Sequence, residues 1–556
     1  MNQKAAANLK ASEIVTFQNS LPKTWEVGTF SDLVAFLTDY QANGSFASLK
    51  ENVKTYHSPN HAILVRLKDL RHRLERSEEF IYTDEKGFKF LEKSSLRGGE
   101  ILVANVGSVG TTLLMPTPRQ PATLAPNMFL VYLSPLIDKR YFLHYCTSQF
   151  YWRQISFLAS GSGQPKINKK QYRSVEIPVA PIAEQQRIVD KIEELFSDLD
   201  SGINSLKTAR QQLKVYRQAV LKWAFEGKLT AQWREEQQRQ GQLESADTLL
   251  AQIKAEREQH YQKELEAWQS EVEAWEAIGK EGKKPRKPSK LKEFRDLTDT
   301  DLAALPDLPE HWFYIRAEGI SDFITKGTTP KKEELFEVEG DIPFIKVYNL
   351  THRGTLDFSI NPTFVSHETH RGFLGRSKVL PGDVLINIVG PPLGKVSLIP
   401  DTFKEWNINQ AVARYRLLDA VSNKYFTYYL LSQSTVNMMS ARAKATAGQF
   451  NLTLQICRDV EVPICSKAEQ EKIVEEIESR LSICDQLEAD IEANLKKAEA
   501  LRQSILKQAF AGKLVPQDPK DEPAEVLLER IRAEREKAKP AQKASSNKAK
   551  AKGGAS

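Results

Sequence analysis

Three stretches carry residues that could do chemistry, and each fails on spacing. Gly390-Pro391-Pro392-Leu393-Gly394-Lys395 has the glycines and lysine of a phosphate-binding loop. Only three residues separate the glycines, one too few, and neither Ser nor Thr follows the lysine. A turn between two strands is expected there. His367-Glu368-Thr369-His370 is one residue short of the zinc-protease helix, so its histidines do not fall at i and i+4. Surface polar residues are the expectation. Asn361-Pro362-Thr363-Phe364 is one residue from the N-P-P-F box of amino-methyltransferases, but no glycine-rich cofactor motif accompanies it, and it reads as a turn. No G-x-S-x-G or Rossmann fingerprint occurs. The four cysteines, Cys146, Cys457, Cys465 and Cys484, form no C-x-x-C pair, and Cys484 sits at an apolar helical position as a buried free thiol. The sequence therefore supports no catalytic step and no metal centre on this chain.

Two other polar segments are better candidates for binding. Gly161-Ser162-Gly163 breaks the chain ahead of Gln164, Lys166, Asn168, Lys169, Lys170 and Arg173. Ala447-Gly448 does the same ahead of Gln449 and Asn451. Arg and Lys suit phosphates and guanine edges, and Asn and Gln suit adenine edges. A plain polar connector has the same composition.

These segments belong to a larger pattern, because the chain contains itself twice. A-E-Q-Q-R-I-V-D-K-I-E from Ala183 runs to A-F-E-G-K-L at Leu229. A-E-Q-E-K-I-V-E-E-I-E from Ala468 runs to A-F-A-G-K-L at Leu514, 285 positions later and without a gap. The likeness continues downstream, where Glu244 onward resembles Glu522 onward. Upstream, Val175-Glu176-Ile177-Pro178 answers Val460-Glu461-Val462-Pro463, and Leu21-Pro22 with Trp25 answers Leu308-Pro309 with Trp312. Such a period is far longer than that of solenoid repeats. It implies two large halves related by a rough twofold, each a variable segment followed by a shared helix.

In the first shared helix Phe196, Leu199, Ile203, Leu206, Leu213, Val220 and Ala224 follow three- and four-residue steps. In the second, Cys484, Leu487, Ile491, Ala498, Leu501 and Ile505 do so. This is coiled-coil seam spacing, interrupted by Arg210, Arg217 and Asn494. Each copy closes on a glycine stop signal, Gly227 or Gly512. Two such stripes on one chain can bury each other, most simply antiparallel; the alternative is two independent helical hairpins. The variable segments read as α/β. Residues 101–106, 384–389, 128–133 and 411–417 read as strands, and 138–157 and 423–443 as aromatic-rich helices.

At 556 residues the chain has room for several domains, and its net charge of +6 permits an anionic partner without demanding one. Lys280–Lys292, with seven basic residues and one Glu, and the lysine-bearing tail after Glu536 read first as a solvated linker and a disordered tail. With neither a signal peptide nor a long apolar run, the expectation is a cytosolic, reduced protein with no membrane partner.

The paired A-E-Q helices, the A-F-x-G-K-L closures, the V-E-x-P joints and the Gly-Gln segments together resemble the specificity subunit of a type I restriction-modification system, over roughly Leu21 to Leu514. The resemblance implies an α+β protein with two globular α/β target-recognition domains separated by two long antiparallel coiled-coil helices. On that plan residues 1–20 are an extension, 21–180 and 306–465 the recognition domains, and 181–230 and 466–515 the shared helices. Residues 231–305 are a charged helical insert and basic linker, and 516–556 a helix and basic tail. It further implies sequence-specific binding of double-stranded DNA in two parts and docking of two modification subunits that methylate adenine. Restriction subunits complete the assembly. S-adenosylmethionine, ATP and Mg2+ are implied on those partners, with no cofactor on this chain. The rival reading is a coiled-coil assembly protein with no DNA role.

Overall fold

The computed structural model describes residues 21–161, 163–288, 295–390, 392–446 and 449–537, without the side chains of 444–450. The chain divides into two compact units, residues 1–206 with 492–556, and residues 207–491. Both units draw on both long helices, α1 (Ile182–Phe225) and, further on, Lys467–Phe510.

The two units repeat one topology. In the first, a four-stranded antiparallel sheet has the order Val34–Asp39, Met128–Leu133, Ile101–Ala104, Thr112–Leu114. A smaller sheet holds Tyr82–Thr83, Ala62–Val65, Ala122–Leu124 and Ser95–Leu96, with its central pair parallel. In the second unit the sheet corresponding to the first of these runs Ser321–Lys326, Val412–Leu417, Val384–Asn387, Val396–Leu398, and the other has five strands, with Phe336–Glu337 added at its edge. Ile101–Ala104 is apolar throughout, and Val384–Asn387 is apolar up to Asn387, because both faces of these two strands are covered. Ile101 and Val103 pack with Phe30, Tyr141 and Tyr172, whereas Leu102 packs with Leu130 and Met115 on the other side. Val384 and Ile386 face one core in the same way, and Leu385 faces another.

Each aromatic-rich stretch expected as one helix is two. Lys139–Tyr145 is followed by Gln149–Leu158, and Asn423–Leu431 by Gln433–Arg442. Ser148 and Ser432 make the breaks, their hydroxyls accepting from the backbone of Tyr151 and Thr435 at the start of the following helix. The charged insert contains α2 (Ala246–Ala277). Leu249 and Ile253 of α2 are buried in the core of the second unit, and their repeat counterparts Leu527 and Ile531 are buried in that of the first. Further along α2, Trp268 Nε1 donates to Pro285 O (3.1 Å). Lys287 lies over the Trp268 ring, and Lys280 and Lys284 lie over that of Trp275. The described part of the basic linker thus folds back on its own helix.

The shared motifs fasten the second long helix, α3 (Lys467–Phe510), as they fasten α1. Trp25 Nε1 donates to Glu184 (2.9 Å), which also accepts from Gln517 (2.6 Å). Trp312 Nε1 donates to Glu469 (2.9 Å), which also accepts from Thr230 (2.7 Å) and Arg234 (2.9 Å). Burial pushes the Glu184 carboxyl above its ordinary pKa, against those donors. The adjacent glutamines are matched too. Gln185 accepts from Asp138 N and donates to Ala180 O, while Gln470 accepts from Ser422 N and donates to Cys465 O. The closing glycines adopt φ of +69° and +67°, and a Cβ there would lie 2.5 Å from Pro309 or 2.3 Å from Pro22. Leu-Pro-x-x-Trp, Ala-Glu-Gln and Gly-Lys-Leu are therefore three sides of one joint, made once in each unit.

Within the first unit the early turns of α1 lie against the late turns of α3. Arg502 pairs with Asp200 and covers the Phe196 ring at 4.4 Å, beside Leu199 and Ile505. Within the second unit the late turns of α1 meet the early turns of α3, where Val220 and Ala224 pack with Ile473 and Ile477, and Arg217 pairs with Asp485 and Glu488. The sense is antiparallel in each unit. Phe196, Leu199, Ile203, Leu206 and Leu213 are half-buried along this stripe, and Val220, Ile491 and Ile505 are buried. Two expected seam residues are corrected. Leu487 and Leu501 are 46% and 50% exposed, and Glu488 and Arg502, one residue on, take the inward positions. Their ion pairs allow polar heads there while the aliphatic stems pack.

This register predicts unequal costs for similar truncations. Ile491, 7% exposed, should lose about 2 kcal/mol on Ile491→Ala. Leu487→Ala should stay within about 0.5 kcal/mol of the parent. Urea unfolding midpoints of the two variants check this; equal losses would return Leu487 to the seam.

Candidate nucleic-acid interface

The Gly-flanked segment of the first unit is anchored to the loop after the central strand. Ser160 and Lys166 exchange two backbone hydrogen bonds of 2.9 Å, closing a small loop. Gly161 supplies φ of +106°, and a Cβ there would lie 2.8 Å from Gln164 O. Gly107 N donates to Pro165 O (2.8 Å), and Ile167 N to Asn105 O (2.9 Å). The second unit repeats the junction. Lys444–Thr446 pairs with Gln449–Asn451 in a hairpin, Asn451 bridges Val389, and Leu452 N donates to Ile388 O (2.8 Å).

The expected binding residues divide by what already holds them. Gln164, Lys166, Lys170 and Arg173 are exposed, and no ion pair to a described residue engages the three cations. Asn168 instead caps the short helix Lys169–Arg173, its Oδ1 accepting from Gln171 N (2.9 Å) while its own N donates to Gln171 Oε1 (3.0 Å). Lys169 pairs with Asp39 at 2.9 Å. Asn451 is half-buried at the end of its hairpin. Gln449 lies in that hairpin, with its side chain outside the described set, and Gly448 is outside the described residues.

Lys169, Lys170 and Arg173 line an open hollow with Thr29, Ser31 and Leu37. Arg71 adds a further cation beside the strand loop, donating to Ser108 Oγ (3.3 Å). Sequence reasoning missed Arg71, Ser108 and Asn105. No local signal marks them, since the sheet and its connections alone bring the loop of Asn105 to Pro165 and Ile167, and Arg71 to Ser108 of that loop. The arrangement offers cations for phosphates next to neutral amides.

The motifs set aside in the sequence resolve as structure. Asn387 spans a turn between strands, donating to Pro392 O (3.0 Å) and accepting from Lys395 N (2.9 Å). Asn361 sits at φ +45°, as a turn residue does. The surface reading of the histidine pair is corrected for His370. It is fully buried, with Nδ1 at 2.6 Å from Asn407 Oδ1 and Nε2 at 3.1 Å from Glu405, because its short helix packs against the strand Trp406–Ile408. All four cysteines are free and buried, and burial pushes the Cys146 and Cys457 thiols well up. Glu256, His260 and Asp419 bring ligand atoms within 4.8 Å of one another. The Glu256 carboxylate already accepts from Asp419 N and Ala420 N, so this cluster docks α2 on its unit.

Residues 22–208 and 309–497 each match the family described as type I restriction modification DNA specificity domain. The specificity subunit of the type I restriction enzyme EcoKI of Escherichia coli K12 is 23% identical over 533 residues, covering 93% of this chain and 96% of that protein. The EcoBI specificity subunit of Escherichia coli is 25% identical over 410 residues, 72% of each chain. A structure solved in work on complex assembly and conformational transition of the type I R-M system superposes with a TM-score of 0.57 at 16% identity, covering 89% of this chain and 99% of that one, which shows a shared fold. Among the described residues, no helix is long and apolar enough to cross a membrane. The family match falls on both repeats and takes in both loop junctions, and the chain belongs to the type I restriction-modification DNA specificity family, with a role in DNA sequence specificity.

Proposed function

We propose that the chain reads a two-part sequence in double-stranded DNA, one part with each unit, and performs no catalytic step. The observation that carries this reading is the repetition of one loop junction, with different side chains, in two units that share one pair of antiparallel helices. On this reading residues 21–180 and 306–465 are target-recognition domains, and the helices of 181–230 and 466–515 set the gap between the two parts. Two modest half-site interactions on one spacer combine into a tight one through effective concentration.

Specificity subunits of type I restriction enzymes are the relatives in hand. We take the same assembly for this chain, with two modification subunits and the restriction subunits as partners in the cytoplasm. S-adenosylmethionine, ATP and Mg2+ belong to those partners. Val215, Trp223, Ile483 and Leu487 are exposed apolar residues of α1 and α3 and suit such docking.

The exposed cations should act as phosphate contacts. Lys166→Ala, Lys170→Ala or Arg173→Ala should weaken binding to every sequence and lower the salt slope by about one each. Lys169→Ala should change the slope less, because its ammonium already faces Asp39. Fluorescence anisotropy of the complex with modification subunits, across a salt series, measures this. Parent slopes in all three variants would reject the phosphate assignment.

The helices should act as a spacer. Seven residues inserted after Leu206 and seven after Ile491 keep the heptad register and lengthen each helix by ~10 Å. Methylated sites mapped by sequencing should keep both half-sites and gain ~3 base pairs between them, at 3.4 Å per step. An unchanged gap with full activity would show that the helices do not set the spacing.

A further inference from the structure

Most buried asparagines of this fold have their amides engaged. Asn349 donates to Asp357 O and Ile360 O and accepts from Lys346 N. Asn387 holds its own turn from both ends of the amide. Asn407 donates to Leu374 O and Ser377 O and faces His370. Two asparagines differ. The Oδ1 atoms of Asn105 and Asn451 are both buried and have no hydrogen-bond partner among the described residues.

Both lie at the repeated junction, on opposite sides of it. Asn105 belongs to the loop after the central strand of the first unit and accepts Ile167 N through its backbone. The matching residue of the second unit is Ile388, which accepts Leu452 N and is apolar. Asn451 belongs to the hairpin of the second unit and bridges Val389. Its match in the first unit is Lys166, which bridges Val106. Each junction therefore carries one amide oxygen without a partner among the described residues, from a different segment in each half.

The backbone of Asn105 is pinned on both sides, its N donating to Asn127 O (3.1 Å). Its side chain lines a cavity of about 290 Å³ with Tyr40, Phe46, Lys50 and Asn127. Phe46 is 82% exposed at that rim. A carbonyl oxygen stripped of water and left without a donor is destabilising, and a native fold that keeps one at each copy of the same junction calls for a reason. Rotation of the amide outward ends the penalty if a donor waits there. In the major groove the matching donors are the exocyclic amino groups of adenine (N6) and cytosine (N4), and adenine adds N7 as acceptor for the amide N–H.

We propose that Asn105 and Asn451 are the base-reading amides of the two halves, each accepting from the exocyclic amino group of one base in the major groove. This rests on the DNA-reading role proposed above. Each position reads one base pair, and the two pairs fall in different half-sites.

The test uses the chain in complex with its modification subunits. A preferred site is first selected from a randomised duplex pool with the wild-type complex. Duplexes with single base-pair changes are then titrated against wild type, Asn105→Ala and Asn451→Ala. Each variant should lose about 10- to 100-fold of its preference at one base pair only, in a different half-site for each. At that pair, purine in place of adenine, or 2-pyrimidinone in place of cytosine, removes the amino group. The analogue should weaken wild type by the same factor and leave the Ala variant unaffected. Loss from 7-deaza-adenine identifies an adenine contact. Melting temperatures of Asn105→Ala and Asn451→Ala no lower than that of wild type exclude misfolding as the cause. Uniform loss across all sequences, or unchanged selectivity, overturns the assignment. A wild-type complex with no sequence preference instead overturns the DNA-reading role itself, before any variant is compared.

Discussion

The indole N–H of a tryptophan on a buried carboxylate holds each unit to the start of a long helix. Glu184 takes Trp25 and Glu469 takes Trp312, at 2.9 Å in both cases. A carboxylate in such a place is destabilising unless its oxygens are matched. Gln517 completes one site, and Thr230 with Arg234 completes the other. Removing the tryptophan would leave a buried charge short of a donor, so neither partner can change alone. The neighbouring Gln185 and Gln470 tie the backbone at the start of the aromatic helices to the same turn. This coupling explains why the shared residues cluster at helix ends, although the helices themselves are 44 residues long.

With the helix ends fixed, the recognition parts are free to differ. The central strands Ile101–Ala104 and Val384–Asn387 are covered on both faces, so their apolar residues are set by packing. The loops beyond that strand answer only to backbone geometry. Gly110 and Gly394 adopt positive φ and pass close to a helix, where a Cβ would meet Ile155 or Val436 at under 3 Å. Each glycine keeps its own turn seated while the neighbouring loop residues vary.

Much of this was legible in the sequence, and the failures have physical causes. The ungapped repeat, the closing glycines and the Leu-Pro-x-x-Trp motifs are residues of one joint and recur together. The central strands were legible because continuous apolar runs between turn signals have few other solutions. The seam of α3 was misread at Leu487 and Leu501, because periodicity counts apolar residues. Here Arg502 lies over Phe196 and pairs with Asp200, and polar residues hold seam positions that leucine was expected to fill. In the candidate site the polar loop was legible, but the engagement of its side chains was not. Asn168 caps a helix of five residues that no periodicity reveals, and Lys169 meets Asp39 from 130 residues away. His370 was placed at the surface because its partners Asn407 and Glu405 are supplied by a strand and its flank, distant in sequence.

The two junctions show how one scaffold can present different surfaces without moving. Ile167 N to Asn105 O and Leu452 N to Ile388 O are main-chain bonds, as are the bridges of Lys166 to Val106 and Asn451 to Val389. Main-chain bonds fix where a residue sits while leaving its type open, short of proline. A lysine in one half and an asparagine in the other thus occupy the same station, and so do an asparagine and an isoleucine. A binding surface built this way changes its chemistry one side chain at a time. Its cost in stability is confined to that side chain, because the ladder that positions it is indifferent to the substitution.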